Sequence, residues 1–336
     1  MNWFATLTGF KEGDHNHAVG KLVVDGDRLH STVNGRSYAI GRLEWPTLEE
    51  LRDRAQAVVP ALAGKVSVSL VPGDVGDLHR DPRNAMALFQ VASQFNLLEM
   101  TGPNITPEDG VTRYAGDPTQ GPRCAIAAGA ATVYRNYFVP VDGEIGQTRE
   151  RQIDCLADVG RALGNDGGRL WQMRNGYALC SPLGLRKIAE ALARLTAPGR
   201  TALRDRLRIG VQWNVEVTDR APIPAHHVSQ AFCSALPVNY CENVADIDEW
   251  QPFAELVLEG SYEATLWTAA LNAVQSGSRT VYLTRVGGGA FHNPWEWIDR
   301  AMRRALDRVA GLDLDVRINC YGGPDALLVR LAADLA

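Results

Sequence analysis

The sequence predicts an α/β protein, a three-layer α/β/α sandwich around a mixed sheet, with a small β-hairpin region at the N-terminus. Strand and helix signals alternate over most of the 336 residues, as they do when helices cover both faces of a sheet. Thr280 to Trp297, TVYLTRVGGGAFHNPWEW, runs strand, glycine loop, helix: a β-branched and aromatic run, then Gly287, Gly288 and Gly289, then Pro294 opening a helix at Trp295. Residues 1 to 44 hold short alternating runs, FATLTGF, KLVVDG, RLHSTV and RSYAIGRL, separated by Gly, Asp and Asn, which predict a small antiparallel sheet or a pair of hairpins.

The elements follow in order. After Trp45, PTLEELRDRAQAVVPAL has Pro near the first helical position, acids in the first turn and apolar residues at helical spacing, so a helix is expected. Lys65 to Val71 is a strand running into Pro72-Gly73-Asp74-Val75, and Ala85 to Ala92 is a second that ends in SQFNLLEM. Asn104 to Pro122 is a loop carrying Glu108, Asp109 and Asp117, followed by an Ala-rich helix from about Arg123 to Tyr137. Gln147 to Leu163 is helical by periodicity, and LWQMRNGYALC is strand-like. Leu183 to Leu207 holds one or two helices with a break at Ala197-Pro198-Gly199. RIGVQWNVEV and VSQAFCSALPV are strands joined by the loop Asp219 to His227. A long helix spans Pro252 to Ala273, and a final strand, Val316 to Tyr321, precedes a helix over Asp325 to Ala336. Residues 1–60 are expected to form the N-terminal hairpins and helix, and residues 61–336 the main domain with a helical insertion around 140–207.

Composition limits the function classes. A net charge of -5 argues against a nucleic-acid scaffold working through bulk electrostatics, and points to a small-molecule or protein partner. The start, MNWFATLTGFKEGDHNH, lacks a signal peptide's cationic and apolar segments, and no run of about 18 apolar residues suits a membrane span, so a cytoplasmic protein is expected. The six cysteines form no CxxC pair and no zinc-spaced cluster, so reduced, buried thiols are expected and no metal or cofactor is implied. His15 and His17 fall in a polar turn, and the adjacent His226 and His227 of a strand point to opposite faces, so neither pair makes a metal site.

The glycine segment is the chemical centre of the chain. Glycines let the main chain approach a ligand, and the first amides of the following helix are unpaired donors, so a phosphate or diphosphate fits there without a cationic side chain. A tight turn that only packs strand on helix is the alternative.

Four segments together resemble the macrodomain, the ADP-ribose-binding α/β/α fold. Gly73-Asp74-Val75 after a strand is similar to its GDI segment, and Phe95-Asn96 to its Asn-containing element; VSQAFCSALPV resembles its central strand and GGGAFHNP its second phosphate loop. The wording FNLLEMTGPNITPEDGVTRYAGDPTQG resembles bacterial effector-like macrodomain hydrolases that remove ADP-ribose from arginine. The resemblance spans roughly residues 65 to 330.

It implies an ADP-ribose site. Asp74, with Val75, would meet the adenine amine, Tyr321 would be the stacking platform, Gly287, Gly288, Gly289 and Ala290 would hold the diphosphate, Phe291 would lie against the distal ribose and Asn96 would bond its hydroxyls. Asn293 is expected to cap the helix at Pro294. Ribosyl-bond hydrolysis passes through an oxocarbenium-like transition state that needs a carboxylate to orient or deprotonate water. Asp109 and Asp117 are the first candidates and Glu108 the third, because PEDG and GDPTQG set both aspartates beside glycines; solvated loop acids are the alternative. The expected activity is removal of mono-ADP-ribose from modified protein, from arginine, with ADP-ribose and that protein as partners and neither nucleic acid nor membrane involved. A non-catalytic ADP-ribose reader is the second possibility. An NAD-dependent oxidoreductase is the third, disfavoured because no GxGxxG occupies the first strand-to-helix turn.

Overall fold

The computed structural model describes residues 2–220, 224–241 and 246–335. Seven strands make the central sheet: β1 Arg42–Glu44, β2 Ser67–Pro72, β3 Leu88–Ala92, β4 Gly210–Glu216, β5 His227–Cys233, β6 Thr280–Leu283 and β7 Asp315–Cys320. Their order is β1-β4-β5-β3-β6-β7-β2. From β5 to β2 every neighbouring pair is parallel, whereas β4 is antiparallel to both β5 and β1, so the sheet is mixed.

The principal helices are α1 Leu48–Gln56, α2 Val75–Arg80, α3 Gln120–Ala127, α4 Gly129–Tyr137, α5 Ile247–Ser276 and α6 Trp295–Arg308. Two consecutive residues of β3 define the layers. Phe89 stacks on His79 of α2 with centroids 3.8 Å apart, and Gln90 donates to Thr265 of α5 at 2.9 Å. Adjacent strand residues face opposite sides, so α2 and α5 cover opposite faces. α1 and α6 pack on α5, while α3 packs against α2. Leu88, Phe89 and Val91 are fully buried, each stabilising the fold by about 1.5–3 kcal/mol of apolar burial. Local signals set the ends: α1 carries a capping box, Thr47 Oγ1 accepting from Glu50 N at 3.1 Å and Glu50 Oε2 from Thr47 N at 2.8 Å. The length of α5 is explained by burial on nearly every side from Phe253 to Ala273.

Several sequence expectations are corrected. FATLTGF is not a strand but the helix Trp3–Thr8, because Phe4, Leu7 and Thr8 bury at helical spacing, Asn2 caps the first turn and Gly9 ends it at φ 83°. His15 and His17 lie on a short helix, His15–Val19, capped by Asp14. The other N-terminal runs do form an antiparallel sheet, Leu22–Asp25, Arg28–Ser31 and Ser37–Ala39, while Arg42–Glu44 leaves it to become the edge of the central sheet. Gln147 to Leu163 is helical only over Ala157–Leu163. Gln147 is fully buried and its amide donates to Asn96 O and Arg135 O while accepting from Ile153 N, which holds the preceding segment out of a helix. The break in Leu183 to Leu207 comes at Leu195 and Thr196, and Ala197-Pro198-Gly199 is the first turn of the next helix. The Ala-rich helix is two, α3 and α4, parted at Ala128. LWQMRNGYALC is a hairpin apart from the central sheet, Trp171–Arg174 with Tyr177–Cys180. Residues 221–223 of the loop Asp219 to His227 lie outside the described residues. Among the described residues no helix is long and apolar enough to cross a membrane, and no cluster of metal-binding side chains occurs.

Candidate active site

The carboxyl ends of β7, β6, β3 and β5 lie side by side, and the segments leaving them build a cleft, the place where open α/β sheets bind ligands. The cleft holds about 330 Å³ and is lined by Asn319 at the end of β7 and Tyr321 after it, Thr284 to Phe291 after β6, Ser93 and Gln94 after β3, Ala235 after β5, and Pro118 to Gly121 from the acidic loop and α3.

The glycine loop presents donors to it. Gly287 adopts φ 76°, and a Cβ there would stand 2.4 Å from that of Ala235, so only glycine makes this bend. The bend is pinned by Asn293, whose amide N donates to Gly287 O at 2.9 Å and whose Nδ2 donates to Leu236 O at 2.9 Å. Asn293 therefore braces the loop and does not cap α6, whose N-cap is Pro294. Among the described residues, the amides of Gly287, Gly289, Ala290 and Phe291 donate to no protein acceptor, while that of Gly288 is committed to Arg285 O at 3.1 Å. Four unpaired amides along one cleft wall are donors that an anion can take up.

At the other end stand Asn319, Tyr321 and Gln120. Tyr321 is 56% exposed, a free platform for a flat ring. Asn319 is buried, and its Nδ2 donates to Val71 O and Gly73 O, which turns Oδ1 the other way as an acceptor. Gln120 Oε1 accepts from Val75 N at 2.8 Å, which leaves Nε2 a buried donor with no partner among the described residues. One acceptor and one donor thus stand beside the platform. The sequence-predicted acceptors are elsewhere. Asp74 does not line the cleft: it caps α2 at Gly76 N and pairs with Arg123 at 3.2 Å. The Val75 amide is taken by Gln120. Asn96 is fully buried, its amide engaged by Gln152 and Leu98 N, and Gln94 lines the cleft in its stead.

Past Gln94, Thr119, Ala290 and Phe291 the cleft continues into an annex of about 50 Å³ lined also by Asp117, Glu99, Thr101, Tyr177 and Tyr240. The rings of Phe291, Tyr177 and Tyr240 meet at 5.1–5.6 Å and form its apolar wall. Asp117 Oδ1 accepts from Thr119 N at 2.8 Å and Thr119 Oγ1 at 2.6 Å, leaving Oδ2 without a donor among the described residues. Burial, and after it the charge of Asp117, holds the Tyr240 phenol above its usual range.

Glu99 is an acid the sequence reading passed over. It is 2% exposed, both oxygens lack hydrogen-bond partners, and Arg135 Nη2 at 3.7 Å is too far for one. Burial pushes its carboxyl up to about 7 against the Arg135 charge. A lone acid inside the apolar run FNLLEM was the signal for it.

Asp109 and Glu108 lie on the outer side of the acidic loop and line neither cleft nor annex. Asp109 Oδ2 accepts from Thr106 N at 2.9 Å, and that bond, ahead of burial and aided by Arg113 and Arg149, holds it below the usual carboxylate range. Glu108 accepts from Arg149 N at 2.9 Å and 3.0 Å. Of the three acids, Asp117 alone is brought to the glycine loop.

No protein-family model matches the chain, and no curated protein is detectably similar to it in sequence. Among solved structures it is similar to poly(ADP-ribose) glycohydrolase from Deinococcus radiodurans in complex with ADP-ribose, at 12% identity and a TM-score of 0.45, over 87% of this chain and 93% of that one. It is also similar to the poly(ADP-ribose) glycohydrolase of Thermomonospora curvata, at 13% identity and a TM-score of 0.45, over 92% of this chain and 94% of that one.

Proposed function

We propose that the chain is an ADP-ribosyl hydrolase of macrodomain type, acting on mono-ADP-ribosylated protein and on the arginine linkage, with residues 61–336 as the binding and catalytic unit. One observation carries this reading: four unpaired amides at Gly287, Gly289, Ala290 and Phe291 border a cleft whose inner end is an aromatic annex bearing Asp117. The diphosphate lies on those amides. The adenine stacks on Tyr321, its exocyclic amine donating to Asn319 Oδ1 and a ring nitrogen accepting from Gln120 Nε2. The distal ribose then reaches the annex against Phe291.

There the bond from the anomeric carbon to the guanidine nitrogen breaks and its electron pair leaves with nitrogen, as water oxygen bonds to carbon. Asp117 orients that water, takes its proton and returns it to the departing guanidine, leaving ADP-ribose and arginine. Asp109, ionised on the outer side of the same loop, meets the cationic guanidinium side of the substrate.

Titration with ADP-ribose tests the binding half, and release of ADP-ribose from an arginine-modified protein tests the chemistry. Binding without release leaves a reader; no binding of ADP-ribose, or binding of NAD in preference to it, overturns the reading.

A further inference from the structure

The acidic loop is held from outside the sheet by one carboxylate. Glu12, between the two N-terminal helices, is 5% exposed and accepts four hydrogen bonds: from Val111 N at 2.8 Å, Thr112 N at 2.9 Å, Thr112 Oγ1 at 2.6 Å and Tyr137 OH at 2.8 Å. A buried carboxylate is tolerated only when its lone pairs are filled this way, and removing it strands its donors. The contact is close. Gly110, at φ 81°, would put a Cβ 2.5 Å from Glu12 Oε2, so loop and carboxylate fit only with glycine there.

Thr112 is three residues after Asp109 and five before Asp117, so the anchor sits between the two candidate acids. The surrounding packing runs the same way. Phe4, Leu7, Leu22 and Leu29 share one apolar cluster with Val111 and Tyr114 of the loop and with Tyr137 of α4. None of the residues lining the cleft or annex belongs to this N-terminal segment.

We propose that the N-terminal segment is a positioning arm for the hydrolytic reaction: Glu12 fixes the loop conformation that carries Asp117 into the annex, without touching ADP-ribose. This rests on the hydrolase reading above. Glu12 is a positioning residue, and its loss separates turnover from affinity because the diphosphate amides, Asn319 and Tyr321 hang from β6 and β7, and Gln120 of α3 is held separately by Val75 N at 2.8 Å.

The test uses the full chain with Glu12→Ala, Glu12→Gln and Tyr137→Phe, each confirmed folded by its melting curve. Turnover is measured on an arginine-modified protein, ADP-ribose affinity by calorimetry, and exchange of the Val111 and Thr112 amides by hydrogen–deuterium exchange. The expected result for Glu12→Ala is a kcat at least about tenfold lower, an ADP-ribose Kd within about twofold of the parent, and faster exchange confined to the loop. Glu12→Gln, which keeps one acceptor oxygen, recovers part of kcat, and Tyr137→Phe, which removes one donor, lowers kcat least. Unchanged kcat in Glu12→Ala overturns the proposal, and so does a parallel loss of affinity and turnover, which marks a merely structural role. A parent protein with no turnover overturns the hydrolase reading and this one with it; an active parent with indifferent variants overturns this one alone.

Discussion

Gly289 offers the sharpest separation of binding from folding. A Cβ built on it meets nothing within 4 Å, and its φ lies outside the left-handed region, so the Cβ of Gly289→Val enters open space in the unliganded protein. Restricting the unfolded chain stabilises by about 0.4–1 kcal/mol at such a site, and the melting temperature is expected to hold or rise by on the order of 1–3 °C. The ligand sees the opposite. Displacing the diphosphate from the Gly289 and Ala290 amides removes two hydrogen bonds to a charged group, each about 1.5–3 kcal/mol. Their loss raises the ADP-ribose Kd by roughly 10²- to 10⁴-fold. Gly287→Ala is the control, since φ 76° and a 2.4 Å approach to the Ala235 Cβ predict a destabilisation of about 1–3 kcal/mol. Calorimetric titration beside thermal melts reads both. A Gly289→Val protein that melts normally and binds ADP-ribose within about threefold of the parent would show that the loop does not hold the diphosphate.

Other expectations follow from the same site. Asp117→Ala should lower turnover roughly 10²- to 10⁴-fold with ADP-ribose affinity little changed, and Asp109→Ala should also lower it; equal, undiminished turnover in both removes the catalytic assignment. An ADP-ribose analogue with hypoxanthine for adenine reverses donor and acceptor on the edge facing Asn319 and Gln120, so about a tenfold loss of affinity is expected, and equal binding means that this edge is not read. Glu99, with its carboxyl pushed up to about 7 from an ordinary 4.5, keeps a proton that the unfolded chain has lost between those values. Native stability should therefore fall as pH rises across that window, by on the order of 3 kcal/mol, and Glu99→Gln should flatten the slope. Melts from about pH 4 to about pH 8 with parallel curves for parent and variant contradict the assignment.

The strands and the glycine loop were legible because their signals are local: β-branched alternation in Thr280–Leu283, three glycines, then Pro294 before Trp295–Arg308. The N-terminal helix was not, since in FATLTGF the spacing of Phe4, Leu7 and Thr8 fits one helical face as well as a short alternation. Around the site, residue types were legible but their partners were not. Asp74 and Asn96 have the chemistry of ligand contacts, yet Arg123 and Gln152, 49 and 56 residues away, occupy them. Asn319 and Gln120 are exposed to the cleft only because distant backbone groups, Val71 O, Gly73 O and Val75 N, turn their amides. Sequence pattern carries periodicity and punctuation, and neither encodes which of two buried amides is already spoken for.

The six cysteines are unpaired, five of them buried, and burial carries the Cys233 thiol up to about 11 and holds Cys124, Cys155 and Cys180 well above their ordinary value. Thiolate is the reactive form, so these sulfurs are nearly inert toward alkylating reagents and peroxide while the chain is folded. Sulfur-directed labelling thus becomes a gauge of unfolding, and a covalent inhibitor aimed at the cleft must bond to something other than cysteine.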